Sequence, residues 1–85
     1  MTKFIAFNPH CESLPYGGVH FVFANGWTVS VQWKVGNYCD EDGSTAEIAA
    51  WDESGDWYRF DTGDTVLGWR TPDQVVAFMA LIAAA

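Results

Sequence analysis

The chain has 85 residues, 49% of them apolar, with five Trp, six Phe and three Tyr. That much aromatic area excludes an intrinsically disordered chain and supports one small folded domain over residues 1–85. A net charge of −7 excludes nucleic acid and anionic membrane as direct partners, because both select Lys and Arg.

No apolar run approaches the ~20 residues of a membrane span. The N-terminus, MTKFIAFNPHCESLP, has too short an apolar patch for a signal peptide. A cytoplasmic protein is expected. In that compartment Cys11 and Cys39 read as thiols, although two cysteines can still pair. The opening KFIAF reads as a strand, and NPHCESLPYGG after it as loop.

The clearest local signal is VHFVFANGWTVSVQW, residues 19–33. Asn-Gly between two β-rich runs predicts a two-residue type I′ hairpin, whose central residues both need positive φ. That turn sets Ala24 opposite Trp27, Val22 opposite Val29 and His20 opposite Val31. One face then holds Val22, Ala24, Trp27, Val29, Val31 and Trp33, with His20 among them. The other face joins Val19, Phe21 and Phe23 to Thr28, Ser30 and Gln32. In this register the first strand is apolar on both sides and needs cover twice.

A second hairpin is expected over residues 45–62, where TAEIAAW and WYRFDT flank DESGD. A three-residue loop, Glu53-Ser54-Gly55, pairs Trp51 with Trp57, Ala49 with Arg59 and Glu47 with Asp61. It leaves Ile48, Tyr58 and Phe60 for the core. A two-residue Ser-Gly loop shifts the register by one and mixes the faces, so the longer loop sorts polar from apolar better. After it, TVLGWR reads as a short strand interrupted by Gly68. Residues 72–84 read as a helix: Thr71 as N-cap, Pro72 at the first position and Gln74 completing a capping box. Val75, Phe78, Met79 and Ile82 recur at helical spacing and form its buried stripe. The expected fold is α+β: an antiparallel sheet of four to five strands with one C-terminal helix packed on it.

Nine of the eleven carboxylates lie in residues 37–64, with Arg59 as the only fixed cation there. Asp40-x-Asp42-x-Ser44 and Asp52-x-Ser54-x-Asp56 begin like calcium loops. An EF-hand then needs Gly and Glu where Thr45 and Trp51, or Trp57 and Gly63, stand. Turn chemistry explains most of these acids better. His10, Cys11, His20 and Cys39 match no zinc spacing. A Cys–His pair without an oxyanion motif or phosphate loop gives no catalytic set. Neither metal, cofactor nor enzymatic activity is expected.

Glu47 and Asp61 lie in expected strands, where turn chemistry does not explain them. In the preferred register they stand opposite each other, beside an outward Trp51/Trp57 pair. Such a pair is either an interface or is covered by another segment. As an interface, aromatics and Arg anchor a partner while acids steer it. The candidate partner-binding residues are Glu47, Trp51, Asp52, Glu53, Asp56, Trp57, Arg59, Asp61 and Asp64.

The stretch YGGVHFVFANGWTVSVQWKVGNYCD, with AEIAAWD and WYRFDTGDTVLGW after it, resembles small uncharacterised accessory proteins encoded by phages and prophages. The likeness spans residues 4 to about 82 and carries no functional residue over. It implies a protein acting in the cytoplasm of a bacterial host by binding and inhibiting defence machinery, such as CRISPR or restriction complexes. The implied partner is a host protein or ribonucleoprotein complex with a basic surface. An alternative is a structural subunit that forms a homodimer through the Val19/Phe21/Phe23 face or the Ala-rich helix.

Overall fold

Among the described residues the chain reverses three times through one and the same loop. Phe23 N donates to Trp27 O at 2.9 Å and Gly26 N to Phe23 O at 3.0 Å; Asp52 and Asp56 close the same ring around Gly55, and Phe60 and Asp64 around Gly63. In each case the third loop residue is a glycine at left-handed φ, 90°, 86° and 89° in turn, a conformation an L side chain strains to reach. The computed structural model describes residues 3–7, 18–33, 37–40 and 44–85. Its strands are β1 (Lys3–Phe7), β2 (Gly18–Val22), β3 (Thr28–Gln32), β4 (Ala46–Trp51) and β5 (Leu67–Arg70), followed by helix α1 (Pro72–Ala83). The strands pair antiparallel in chain order, and α1 packs across one face of the sheet. This is the expected α+β arrangement of one antiparallel sheet and one C-terminal helix, although the expected strand at 57–62 is reduced to a single bridge at Trp57.

The first hairpin departs from its expected register. Its loop is Ala24-Asn25-Gly26, not Asn25-Gly26 alone, and Asn25 does not adopt positive φ. The Asn25 side chain supplies the reason. Its Oδ1 accepts from Trp27 N at 3.0 Å, while Nδ2 donates to the carbonyls of Ile82 at 2.8 Å, Ala83 at 3.3 Å and Ala85 at 3.2 Å. One loop amide thus ties the loop to the carbonyls of the last turn of α1 and of Ala85 just beyond it. The extra residue moves the pairing by one, to Phe21↔Val29, His20↔Ser30 and Val19↔Val31. A one-residue slip turns every side chain over. Val19, Phe21 and Phe23 therefore join Trp27 and Trp33 against the core, and His20 and Val22 go to the opposite face with Thr28, Ser30 and Gln32. The double cover expected for β2 is not needed.

The second hairpin keeps its expected loop and its Trp51↔Trp57 pair, and Tyr58 N donates to Ala50 O at 2.9 Å. Beyond that it stops. The pairs Ala49–Arg59 and Glu47–Asp61 do not form, because the third loop turns the chain at Phe60 and β5 takes the place beside β4. There Leu67 faces Ile48 and Arg70 faces Ala46, with an irregularity between them. Aromatic packing draws the connecting segment away: Tyr58 and Phe60 set their rings 5.5 and 5.1 Å from Phe78 of the helix.

α1 begins as its sequence dictates. Thr71 Oγ1 accepts from Gln74 N at 3.3 Å and Gln74 Oε1 accepts from Thr71 N at 2.9 Å, a complete capping box with Pro72 following. Val75, Phe78 and Ile82 are buried against Val29, Val31, Ala46, Ile48 and Ala50, with Met79 half-buried beside them. Fully burying one such side chain contributes about 1.5–3 kcal/mol. Gly68 of β5 is needed for a close crossing: a Cβ there would lie 2.5 Å from Tyr38 Cβ and 2.7 Å from its carbonyl oxygen. That carbonyl accepts from Trp69 N at 2.8 Å.

Candidate partner-binding face

The sheet face opposite α1 carries the side chains that the hydrophobic core does not use. Register places His20 beside Ser30, Ser30 beside Ala49, Gln32 beside Glu47 and Thr28 beside Trp51. Trp57 stacks on Trp51 with ring centroids 5.0 Å apart at 39°, and His20 meets Trp51 edge-on, also at 5.0 Å. Trp57 is 48% exposed. Beneath these rings is a hollow of about 180 Å³ floored by Ser30 and Ala49, walled by Trp51, Trp57 and Val66, and rimmed by His20, Gln32 and Glu47.

The rim is wired together. Asn37 Nδ2 donates to Gln32 Oε1 at 3.1 Å and to Glu47 Oε1 at 3.3 Å, and Tyr38 N donates to Glu47 Oε2 at 3.0 Å. Gln32 Nε2 in turn donates to Ser30 Oγ at 3.2 Å. Glu47 is therefore a half-buried carboxylate with both oxygens oriented. Like-charge repulsion from Asp61, expected from the hairpin register, is replaced by this hydrogen-bonded setting.

The remaining acids divide by role. Asp52 Oδ1 accepts from Ser54 N at 2.9 Å and Asp56 N at 3.0 Å, which closes the turn rather than a metal site. Glu53 lies across Gly26 of the neighbouring loop. Asp56, Asp61 and Asp64 are exposed, and exposed Arg59 donates from Nη1 to Gly63 O at 2.9 Å. Asp40 Oδ2 accepts from Thr45 Oγ1 at 2.8 Å. Glu47, Trp51 and Trp57 thus come together around one hollow. Asp56 and Arg59 border Trp57 on its outer side, and Asp61 belongs to a separate loop.

A second aromatic pair continues the surface. Tyr38 and Trp69, 59% and 55% exposed, stack at 5.6 Å, and Val66 borders both their hollow and that of the Trp pair. Trp69 holds φ 50°, a strained value for an aromatic residue and one that concentrates at functional positions. Tyr38, Trp69, His20, Ser30 and Gln32 were not among the expected site residues. The Asn-Gly register puts His20 on the apolar face, and the close crossing of Tyr38 and Gly68 has no local sequence signal.

The local field is negative. Burial, then the carboxylates of Glu47 and Asp40, push the Cys39 thiol up. Burial lowers the His20 pKa from its ordinary 6.5, which favours neutral imidazole. Among the described residues no three His, Cys, Asp or Glu side chains gather as metal ligands, and no helix is long and apolar enough to cross a membrane. His10 and Cys11 lie outside the described residues, as do Glu41 and Asp42. Compared with known proteins, the chain matches no family model, no curated protein and no solved structure.

Proposed function

We propose that the chain is a small acidic inhibitor, of anti-CRISPR or anti-restriction type, that binds a host defence or nucleic-acid-handling complex in bacterial cytoplasm and acts by steric occlusion. The observation that carries this reading is the stacked Trp51/Trp57 pair, exposed at Trp57 and bordered by Glu47 and Asp56. Aromatic anchors with acidic surroundings suit a basic protein surface. The proposed activity is binding rather than catalysis, because stacked indoles, exposed at Trp57, beside an oriented carboxylate suit a docking surface. DNA mimicry is at most partial. Duplex DNA carries one charge per ~1.7 Å of axis, whereas these acids sit on separate loops and one strand.

The test is affinity capture from nuclease-treated bacterial lysate at low and high salt, with wild type beside the Trp51→Ala/Trp57→Ala double variant. One stoichiometric partner retained by wild type at low salt, shed at high salt and missed by the folded double variant is expected. Equal capture by the double variant would remove this face from the interaction.

A second reading, self-association, draws on α1. Val76 and Leu81 are 65% and 55% exposed, on a helix whose one charged side chain is Asp73. A homodimer through that face would make the chain an assembly subunit, and sizing of the purified protein separates it from a 9.4 kDa monomer.

A further inference from the structure

We propose that the hollow beneath Trp51 and Trp57 is a socket for a single arginine side chain of a basic protein partner. The inference rests on the occlusion reading and names the chemistry by which that face would grip.

Size is the first argument. Pockets for drug-sized ligands run from about 300 to 1,000 Å³, and this one encloses about 180 Å³, the scale of one long side chain. Depth comes from small residues: Ser30 and Ala49, 3% and 6% exposed, leave the space that larger strand residues would fill. The walls are indoles, whose faces attract cations more strongly than Tyr or Phe. At the rim stands Glu47, with each oxygen already holding one hydrogen bond from Asn37 or Tyr38. A carboxylate oxygen accepts two, so both keep a free lone-pair direction for a guanidinium fork. The carboxylate is held in place before the partner arrives.

Among the described residues no Lys or Arg lines the socket. Arg59 donates to Gly63 O and Arg70 Nε to Gly68 O, at 2.9 and 3.0 Å, outside the hollow. A half-buried carboxylate at the rim of a hollow lined by two indoles, on a chain of net charge −7, is complementary to an incoming positive group. Arginine fits better than lysine because its planar head can stack on an indole and bond two oxygens at once.

The experiment is an NMR titration of the intact chain at low ionic strength, with a tetra-arginine peptide and a matched tetra-lysine peptide as probes. Tetra-arginine should shift the indole N–H signals of Trp51 and Trp57 and the amides of Ser30, Glu47 and Ala49. Its affinity should exceed that of tetra-lysine by about fivefold, the scale of a stacked and forked contact over a point charge. Glu47→Gln should abolish that preference. Ala49→Leu, which fills the hollow from its floor without changing charge, should abolish the indole shifts; amide dispersion checks that it folds. Equal affinity for the two peptides would overturn the proposal, and so would shifts confined to the loops at 53–55 and 61–63. Should Glu47→Gln and Ala49→Leu still capture the lysate partner that Trp51→Ala/Trp57→Ala loses, the socket falls while the occlusion reading stands.

Discussion

His20 illustrates how one residue's neighbours set its chemistry. It packs edge-on to Trp51, and burial holds its pKa below 6.5. As pH falls through 6.5 the unfolded chain takes up a proton that the folded chain resists. Proton uptake is then greater in the unfolded state, so this residue's contribution makes stability rise with pH. The loss begins near the unfolded pKa and levels off below the folded one. Between about pH 7.5 and pH 5.5 wild type should therefore lose more stability than a His20→Gln variant. Urea unfolding at the two pH values measures the difference, and parallel losses would mean that folding does not desolvate the imidazole. Comparing the two chains cancels the contribution of the carboxylates, which are common to both.

At the scale of elements, the hairpin loop 24–26 and the end of α1 stabilise each other through Asn25, whose Nδ2 reaches the carbonyls of Ile82, Ala83 and Ala85. Asn25→Ala removes that donor together with the Oδ1 acceptor for Trp27 N. The expected loss is about 1 kcal/mol, the net value of one good hydrogen bond in a partly exposed setting. Because the last turn of the helix is the part released, amide exchange at residues 82–85 should accelerate more than exchange in β3 or β4. A uniform acceleration would show global destabilisation and no capping role. This contact also explains which elements could be read from the chain. The helix was legible because its cap, its first-position proline and its apolar stripe are all local. The loop at 53–55 was legible for the same reason, and with it the Trp51/Trp57 pair. The loop at 24–26 was not, because the amide that selects it bonds to carbonyls 57 to 60 residues away. With that register went His20, which the structure sets beside Ser30 at the hollow. The third loop ends in the same Gly-Asp pair as the second, at 63–64 and 55–56, but lies at the end of a run that reads as strand. Between the two loops Tyr58 and Phe60 pack on Phe78 of the helix, a contact that local sequence does not announce.

The whole molecule has two unlike sides. One is a sheet face with stacked indoles, an oriented carboxylate and acidic loops around it. The other is a helix whose outward positions beyond its first turn are Val, Leu and Ala, with one acid in that turn. The two readings of function use different sides, and salt acts on them with opposite sign. Attraction between the acidic face and a basic partner is screened as the Debye length falls from about 10 Å at 0.1 M to about 3 Å at 1 M. Partner affinity should drop over that range, chiefly through slower association. Two copies of this chain carry −7 each and repel, so the same screening strengthens any dimer formed through α1. Apolar burial itself is not screened. Sedimentation of the protein alone and partner binding, both measured across this salt series, give the two slopes independently. A falling partner affinity with a monomer at every salt places function on the sheet face. A dimer that tightens with salt and dissolves in a Leu81→Lys variant places it on the helix. The lysine tests contact rather than charge, because it lowers the net negative charge of each copy and so weakens their repulsion. Loss of the dimer despite that weaker repulsion requires Leu81 to lie in the contact.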